Sequence, residues 1–208
     1  YFWGMMEGEM ASELPMRMKT EKREGEISTT FKNLSCGRGN CSIAAIATKD
    51  DSMWIFEGGH MVPLDDIMKW KEVSCGENTI IAIEEKSGRI FEWEITSKKR
   101  REIALPVGHS LAISVSNVPD HTSVVCEDGS VLKVEKGSAI KIPGIENNIT
   151  SVSGFCFVTV DGSVLFQKKG TSEFDRIPCS IPIFQLSCSD SHTAMVSREG
   201  TVFTFGEN

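Results

Sequence analysis

One pattern recurs along this chain at an interval that keeps slipping, and it limits the fold more than any other feature. Near the C-terminal end it reads "LSCSDSHTAMVSREGTVFTFG"; upstream stand "SVSGFCFVTVDGSVLFQKKG", "DHTSVVCEDGSVLKVEKG", "VSCGENTIIAIEEKSGRIFEWE" and "LSCGRGNCSIAAIATKDDSMWIFEGG". Each copy is an apolar stretch, a turn and a second apolar stretch. The turn residues are Ser52, Gly88, Gly129, Gly162 and Gly200, at intervals of 36, 41, 33 and 38. Two residues further on stand Trp54, Ile90, Val131, Val164 and Val202, and three further on Ile55, Phe91, Leu132, Leu165 and Phe203. Adjacent positions of a strand point to opposite faces. Both faces of this strand are therefore apolar and both need cover, as when sheets stack against one another.

Each unit reads as a strand near "xSCG", a second such as "HTAMV", a tight turn such as Arg198-Glu199-Gly200, and a third such as "TVFTF". Gly in that turn suits the positive φ that hairpins often need. A connector, with room for a short fourth strand, leads to the next unit. The best helical candidate, "PLDDIMKWKEV", is short. Small antiparallel sheets repeating at about 40 residues, each covered by its neighbours, predict an all-β protein with the β-propeller architecture. The expected units are 5–58, 59–94, 95–135, 136–168 and 169–206 of a single region 1–208, with Tyr1 to Gly4 as the closing strand of a preceding unit. Opening on a strand without an initiator Met, the chain is expected to be a fragment of a longer polypeptide.

Composition narrows the class. Hydrophobic residues make up 40% and charged residues 25%, which suits a globular chain. A formal net charge of −7 argues against wrapping nucleic acid or chromatin through a broad basic surface. No apolar run approaches the roughly 18 residues that a membrane helix needs. The seven cysteines are odd in number and form no C-x-x-C pair, which predicts free thiols in a reducing, intracellular setting (cytoplasm or nucleus). Cys36, Cys75 and Cys188 fall on one slot of three copies, with Ser153 expected in that slot of a fourth. Same-slot residues lie in different sheets, so no metal site is expected. Trp3, Trp54, Trp70 and Trp93 mostly fall on strand slots and are expected in the core.

In the last unit Leu186, Cys188, His192, Thr193, Gly200, Val202, Phe203, Phe205, Gly206 and Asn208 fall on the repeat pattern of the regulator of chromosome condensation (RCC1) family. That stretch resembles the family over 22 residues. The other copies match more loosely: His121, Thr122 and Gly129 are kept in the third, while Glu94, Glu135 and Lys168 replace the closing Gly. The resemblance implies RCC1-like blades and a seven-bladed ring, of which about five units are present. In the founding member, an exchange factor for the small GTPase Ran, loops of one face contact the GTPase, and an acidic residue two before the motif His is among the contacts. Asp190 is the matching position, and Asp120, immediately before His121, a looser one.

Asp190-Ser191-His192-Thr193 offers an acid, a nucleophile and a base, but residues adjacent in a tight loop rarely converge as catalysis requires. His121 and His192 recur by unit, as do Gly88, Gly129, Gly162, Gly200 and Gly206, so a structural role in turns is expected for all of them. The densest basic run, Lys98, Lys99, Arg100 and Arg101, reads as a solvated inter-blade loop or, alternatively, a nuclear-localisation or acidic-surface contact. The mixed-charge stretch from Arg17 to Glu26 reads as a surface insertion. The reading is a non-catalytic RCC1-like propeller without cofactor that binds protein partners. The alternatives are a guanine-nucleotide exchange factor for a small GTPase, or the RCC1-like portion of a multidomain enzyme such as a ubiquitin ligase.

Overall fold

Sheets follow one another along the chain in the computed structural model, which describes residues 2–4, 12–16, 19–20, 30–37, 43–47, 50–57, 60–65, 67–118, 121–145, 148–168, 171, 173–188 and 192–206. Strands β1 (Phe2–Gly4) and β2 (Ser12–Met16) form an antiparallel pair, and β3 (Lys19–Thr20) is the next element. Blade 1 is β4 (Phe31–Cys36), β5 (Ile43–Ala47), β6 (Met53–Glu57) and β7 (His60–Asp65), with β3 parallel to β7 on its outer edge. Blade 2 comprises β8 (Trp70–Cys75), β9 (Thr79–Glu84), β10 (Ile90–Glu94) and β11 (Arg100–Ile103). Blade 3 comprises β12 (Ala112–Val118), β13 (His121–Cys126), β14 (Val131–Glu135) and β15 (Ser138–Lys141). Blade 4 comprises β16 (Ile149–Ser153), β17 (Cys156–Thr159), β18 (Val164–Gln167) and β19 (Phe174–Ile177). Blade 5 has β20 (Ile183–Cys188), β21 (His192–Ser197) and β22 (Val202–Gly206).

The described residues thus form an all-β propeller arrangement of five antiparallel blades. The sequence repeat ends on the third strand, whereas blades 1 to 4 each continue into a fourth strand paired with that third one. No described residue is helical, and "PLDDIMKWKEV" divides between β7 and β8. Trp70 explains why: its fully buried ring packs edge-on against Phe91 and Trp93, with centroids 5.6 and 5.0 Å away, in the seam between blades 1 and 2.

Alternation along the strands builds the core seam by seam. On β9, Ile80 and Ala82 face blade 1, while Ile81 and Ile83 face blade 3. On the third strands, Met53, Ile90, Val131 and Val164 are 0–1% exposed under the following blade. Their counterpart on blade 5, Val202, is 63% exposed. Every inner strand carries a bulge-like register shift at the same place, between Phe31 and Asn33, Trp70 and Glu72, Ala112 and Ser114, Ile149 and Ser151, or Ile183 and Gln185. The extra residue adds twist and bends the strand.

Two hydrogen bonds repeat across the seams. At one end, the turn after the second strand accepts from the start of the next blade: Trp70 N–H donates to Asp51 O (2.9 Å), Ile149 to Gly129 O (3.2 Å) and Ile183 to Gly162 O (2.8 Å). This fixes the first turn position as Asp51, at φ 59°, and corrects Ser52. Trp54, not Ile55, is then the equivalent of Phe91, as the pairs Ala45–Trp54 and Ala82–Phe91 show. Gly162 sits at φ 80°, and a Cβ there would fall 2.5 Å from Pro182 Cβ, so a side chain is barred twice over.

Further along the inner strands, a serine hydroxyl accepts an N–H of the next blade. Ser35 takes Cys75 N–H (2.9 Å), Ser74 takes Asn117 (2.9 Å), Ser116 takes Gly154 (2.7 Å) and Ser153 takes Cys188 (2.9 Å). Ser153 therefore belongs with Ser35 and Ser74, and Gly154 holds the Cys slot expected for Ser153. An inner strand is a sheet edge with unpaired N–H groups, and each serine covers one of them. Ser116→Ala leaves Gly154 N–H buried without that acceptor and is expected to cost about 1–3 kcal/mol in urea unfolding. Ser187→Ala, at the fifth ladder position and facing no described sheet, is expected to stay within about 0.5 kcal/mol.

Candidate interaction face

Antiparallel alternation sorts the turns onto two rims. Turns between first and second strands share a rim with those between third and fourth strands; the remaining turns and the inter-blade connectors occupy the other. The strands bracketing Asp120 (β12, β13) and Asp190 (β20, β21) end on the first rim, as do β10 and β11 around Lys98 and Lys99. Asp120 and Asp190 themselves lie outside the described residues, as do Ser191, Asn208 and most of the stretch from Arg17 to Glu26.

A rigid polar frame holds this rim between blades 2 and 3. Asn117 donates from Nδ2 to Thr79 O and Thr79 Oγ1, both at 3.0 Å, and accepts at Oδ1 from Thr122 Oγ1 at 2.8 Å. Gly76 N–H donates to the same Thr79 carbonyl at 2.8 Å. A Cβ on Gly76 would come within 2.7 Å of Asn117 Nδ2, so a side chain there would displace the Asn117 amide. Glu72 reaches over the same seam and accepts from Val115 N–H and Ser114 Oγ, both at 3.1 Å. Burial raises its carboxyl above the usual range, against the opposing pull of those two donors.

His121 and His192 hold equivalent positions in different surroundings. His121 is buried, its ring stacked on Phe155 of blade 4 at 4.6 Å and its Nε2 2.6 Å from Ser123 Oγ. Burial, with Lys133 adding to it, pushes the imidazole down to about 4. His192 is exposed at the head of β21, paired in register with Gly206, which has φ 145°. Gly88, Gly129 and Gly200 have φ 62°, 77° and 84°.

The basic run divides. Lys98 and Lys99 lie in the β10–β11 turn, while Arg100 and Arg101 open strand β11 rather than continuing a loop. Arg100 Nη1 meets Asp65 Oδ2 of blade 1 at 2.6 Å and its guanidinium lies 5.2 Å from the Phe91 ring centroid. Arg101 pairs with Glu92 on the neighbouring strand. Arg100 and Arg101 are thus matched on different sides of the strand, because consecutive strand residues point apart. Among the described residues, no three His, Cys, Asp or Glu side chains come together as a metal site, and no helix is long and apolar enough to cross a membrane. The opposite rim carries an open cleft of about 510 Å³ between blades 4 and 5, walled in part by Val160, Pro182 and Phe184. Sequence reasoning missed Asn117, Glu72, Ser35, Ser74 and Ser116, whose roles depend on which sheet stands beside them.

No family model matches the chain, and no curated protein matches its sequence. Solved structures do match its fold. Human WBSCR16 aligns with a TM-score of 0.67 at 16% identity, over 87% of this chain and 63% of that one. Prp20p of Saccharomyces cerevisiae, studied for its binding to Gsp1p and histones, aligns at 0.70 and 12% identity, over 94% and 62%. A chain of the nidogen/laminin complex aligns at 0.66 and 8%, over 86% and 76%. At these identities the likeness establishes the propeller fold. This chain spans 62–63% of the length of the first two.

The neutral His121 supplies a pH test. Its folded value of about 4 lies below the ordinary 6.5, so between those limits the unfolded chain takes up a proton that the folded one refuses. Stability from this group is complete above about pH 6.5 and is lost as pH falls towards 4, by up to about tenfold in the unfolding equilibrium per pH unit. Thermal unfolding of wild type and His121→Gln from pH 7 to 4.5 checks this. The variant is expected to show the shallower decline.

Proposed function

We propose that this chain is an RCC1-like propeller region, part of a seven-bladed ring, that acts as a non-catalytic scaffold for protein partners. The observation that carries the reading is the first rim itself. Its turns come from successive blades and stand on a frame fixed by Asn117, Thr79, Thr122 and the seam hydroxyls. Such a rim offers positioned loops, which suits binding. Neighbours of the same fold have been examined as binding proteins, Prp20p with Gsp1p and histones and nidogen with laminin.

Asp190 and Asp120 are the proposed contacts, with Lys98 and Lys99 as a flanking basic turn on the same rim. Exchange on a small GTPase is the second reading, and it rests on the family position of Asp190. In that case carboxylates and a loop wedge would stabilise the nucleotide-free GTPase without covalent chemistry.

Affinity purification with the full-length protein tests the scaffold, comparing wild type with an Asp120→Lys/Asp190→Lys double variant. A specific partner captured by wild type and lost, by tenfold or more, with the variant is the expected result. Equal capture by both rejects the two aspartates as contacts. Nucleotide release measured over a panel of small GTPases is expected to stay at its intrinsic rate; acceleration by wild type but not by the variant would establish the exchange reading instead.

A further inference from the structure

Repeat geometry brings two cysteines face to face in one seam. Ala44, Ile81, Ser123 and Cys156 each pair across their own sheet with a ladder serine. The residue of the next blade whose N–H donates to that serine's hydroxyl is Cys75, Asn117, Gly154 or Cys188 respectively. In the first three seams at most one of the two is a cysteine. Between blades 4 and 5 both are.

The side chains are close there. Cys156 Sγ lies 3.5 Å and Cys188 Sγ 3.2 Å from the same Thr193 Oγ1, so both thiols meet at one hydroxyl. Cys156 is buried, while Cys188 is partly exposed. We propose that Cys156 and Cys188 form a reversible disulfide joining β17 to β20, with a small-molecule disulfide such as glutathione disulfide as the oxidant. In the first step the Cys188 thiolate attacks a glutathione sulfur, forming a mixed disulfide and releasing one glutathione thiol, while the Cys188 proton goes to solvent and then to that leaving thiolate. In the second, the Cys156 thiolate attacks Cys188 Sγ and expels the second glutathione. The two protein thiols lose two electrons and two protons, and one glutathione disulfide becomes two glutathione thiols. The neighbouring Cys156 thiol, together with burial, raises Cys188 above its ordinary range, so loss of the Cys188 proton limits the first step. Once Cys188 carries glutathione it has no S–H left to donate, and the Thr193 hydroxyl, 3.5 Å from Cys156 Sγ, is the group that favours the Cys156 thiolate in the second step.

The linkage would clamp the seam from which the β20–β21 turn projects, and it holds whether or not that turn binds a partner. Its test is peptide mapping of the purified protein after incubation with glutathione disulfide and alkylation of remaining thiols. Tryptic peptide 177–198 contains Cys179 as well as Cys188, so the mapping uses a Cys179→Ser background. The expected product is a crosslink between peptides 142–168 and 177–198, about 2 Da lighter than their sum and cleaved by dithiothreitol. Oxidation is also expected to raise the unfolding midpoint by roughly 5 °C or more, since a crosslink restricts the unfolded chain. Cys156→Ser should abolish both effects. Both thiols remaining alkylatable, Cys188 linking to another cysteine, or an oxidised form no more stable than the reduced one would each overturn the proposal.

Discussion

Every blade of this propeller depends on a hydrogen bond that it does not make within itself. A serine near the end of each of the first four inner strands, Ser35, Ser74, Ser116 and Ser153, accepts an N–H from the inner strand of the following blade. Apolar burial supplies most of the attraction between sheets, but it is non-directional and tolerates sliding. The serine bonds set one register for each seam, joined in three of the four by a turn-to-strand bond at the opposite rim. Because both bonds link consecutive blades, the sheets are positioned pairwise, and an error in one seam need not spread to the rest.

That pairwise arrangement explains which parts of the fold were legible from sequence. The slipping Gly-containing turns and the two-faced apolar strands identify the blades, since both properties are local to a strand. Register within the first unit was misplaced by one residue because Asp51 takes the positive φ that Gly takes elsewhere. Ser153 was misplaced by one for a related reason: its neighbour Gly154 bears no resemblance to the cysteines whose slot it fills. The basic run appeared as a patch because adjacency in sequence hides the alternation of a strand, which sends Arg100 to Asp65 and Arg101 to Glu92.

Legibility of the candidate face was narrower. The turns bracketed by β12–β13 and β20–β21 belong to one rim, and that follows from strand order alone. The frame beneath them does not, because Asn117, Thr79 and Thr122 become a network only when blades 2 and 3 are adjacent. His121 and His192 make the same point. They share a repeat position, yet only His121 has a following blade in the described residues to supply a Phe155 for its ring.

The central claim, that seam-crossing serine bonds register the blades, is tested most directly by amide hydrogen exchange resolved by NMR. The N–H groups of Cys75, Asn117, Gly154 and Cys188 point out of their own sheets and would exchange quickly if the seams were only loosely apolar. The account predicts protection for all four comparable to that of central-strand amides such as Ile81 and Val124. Exchange at the rate of exposed turn amides would contradict it.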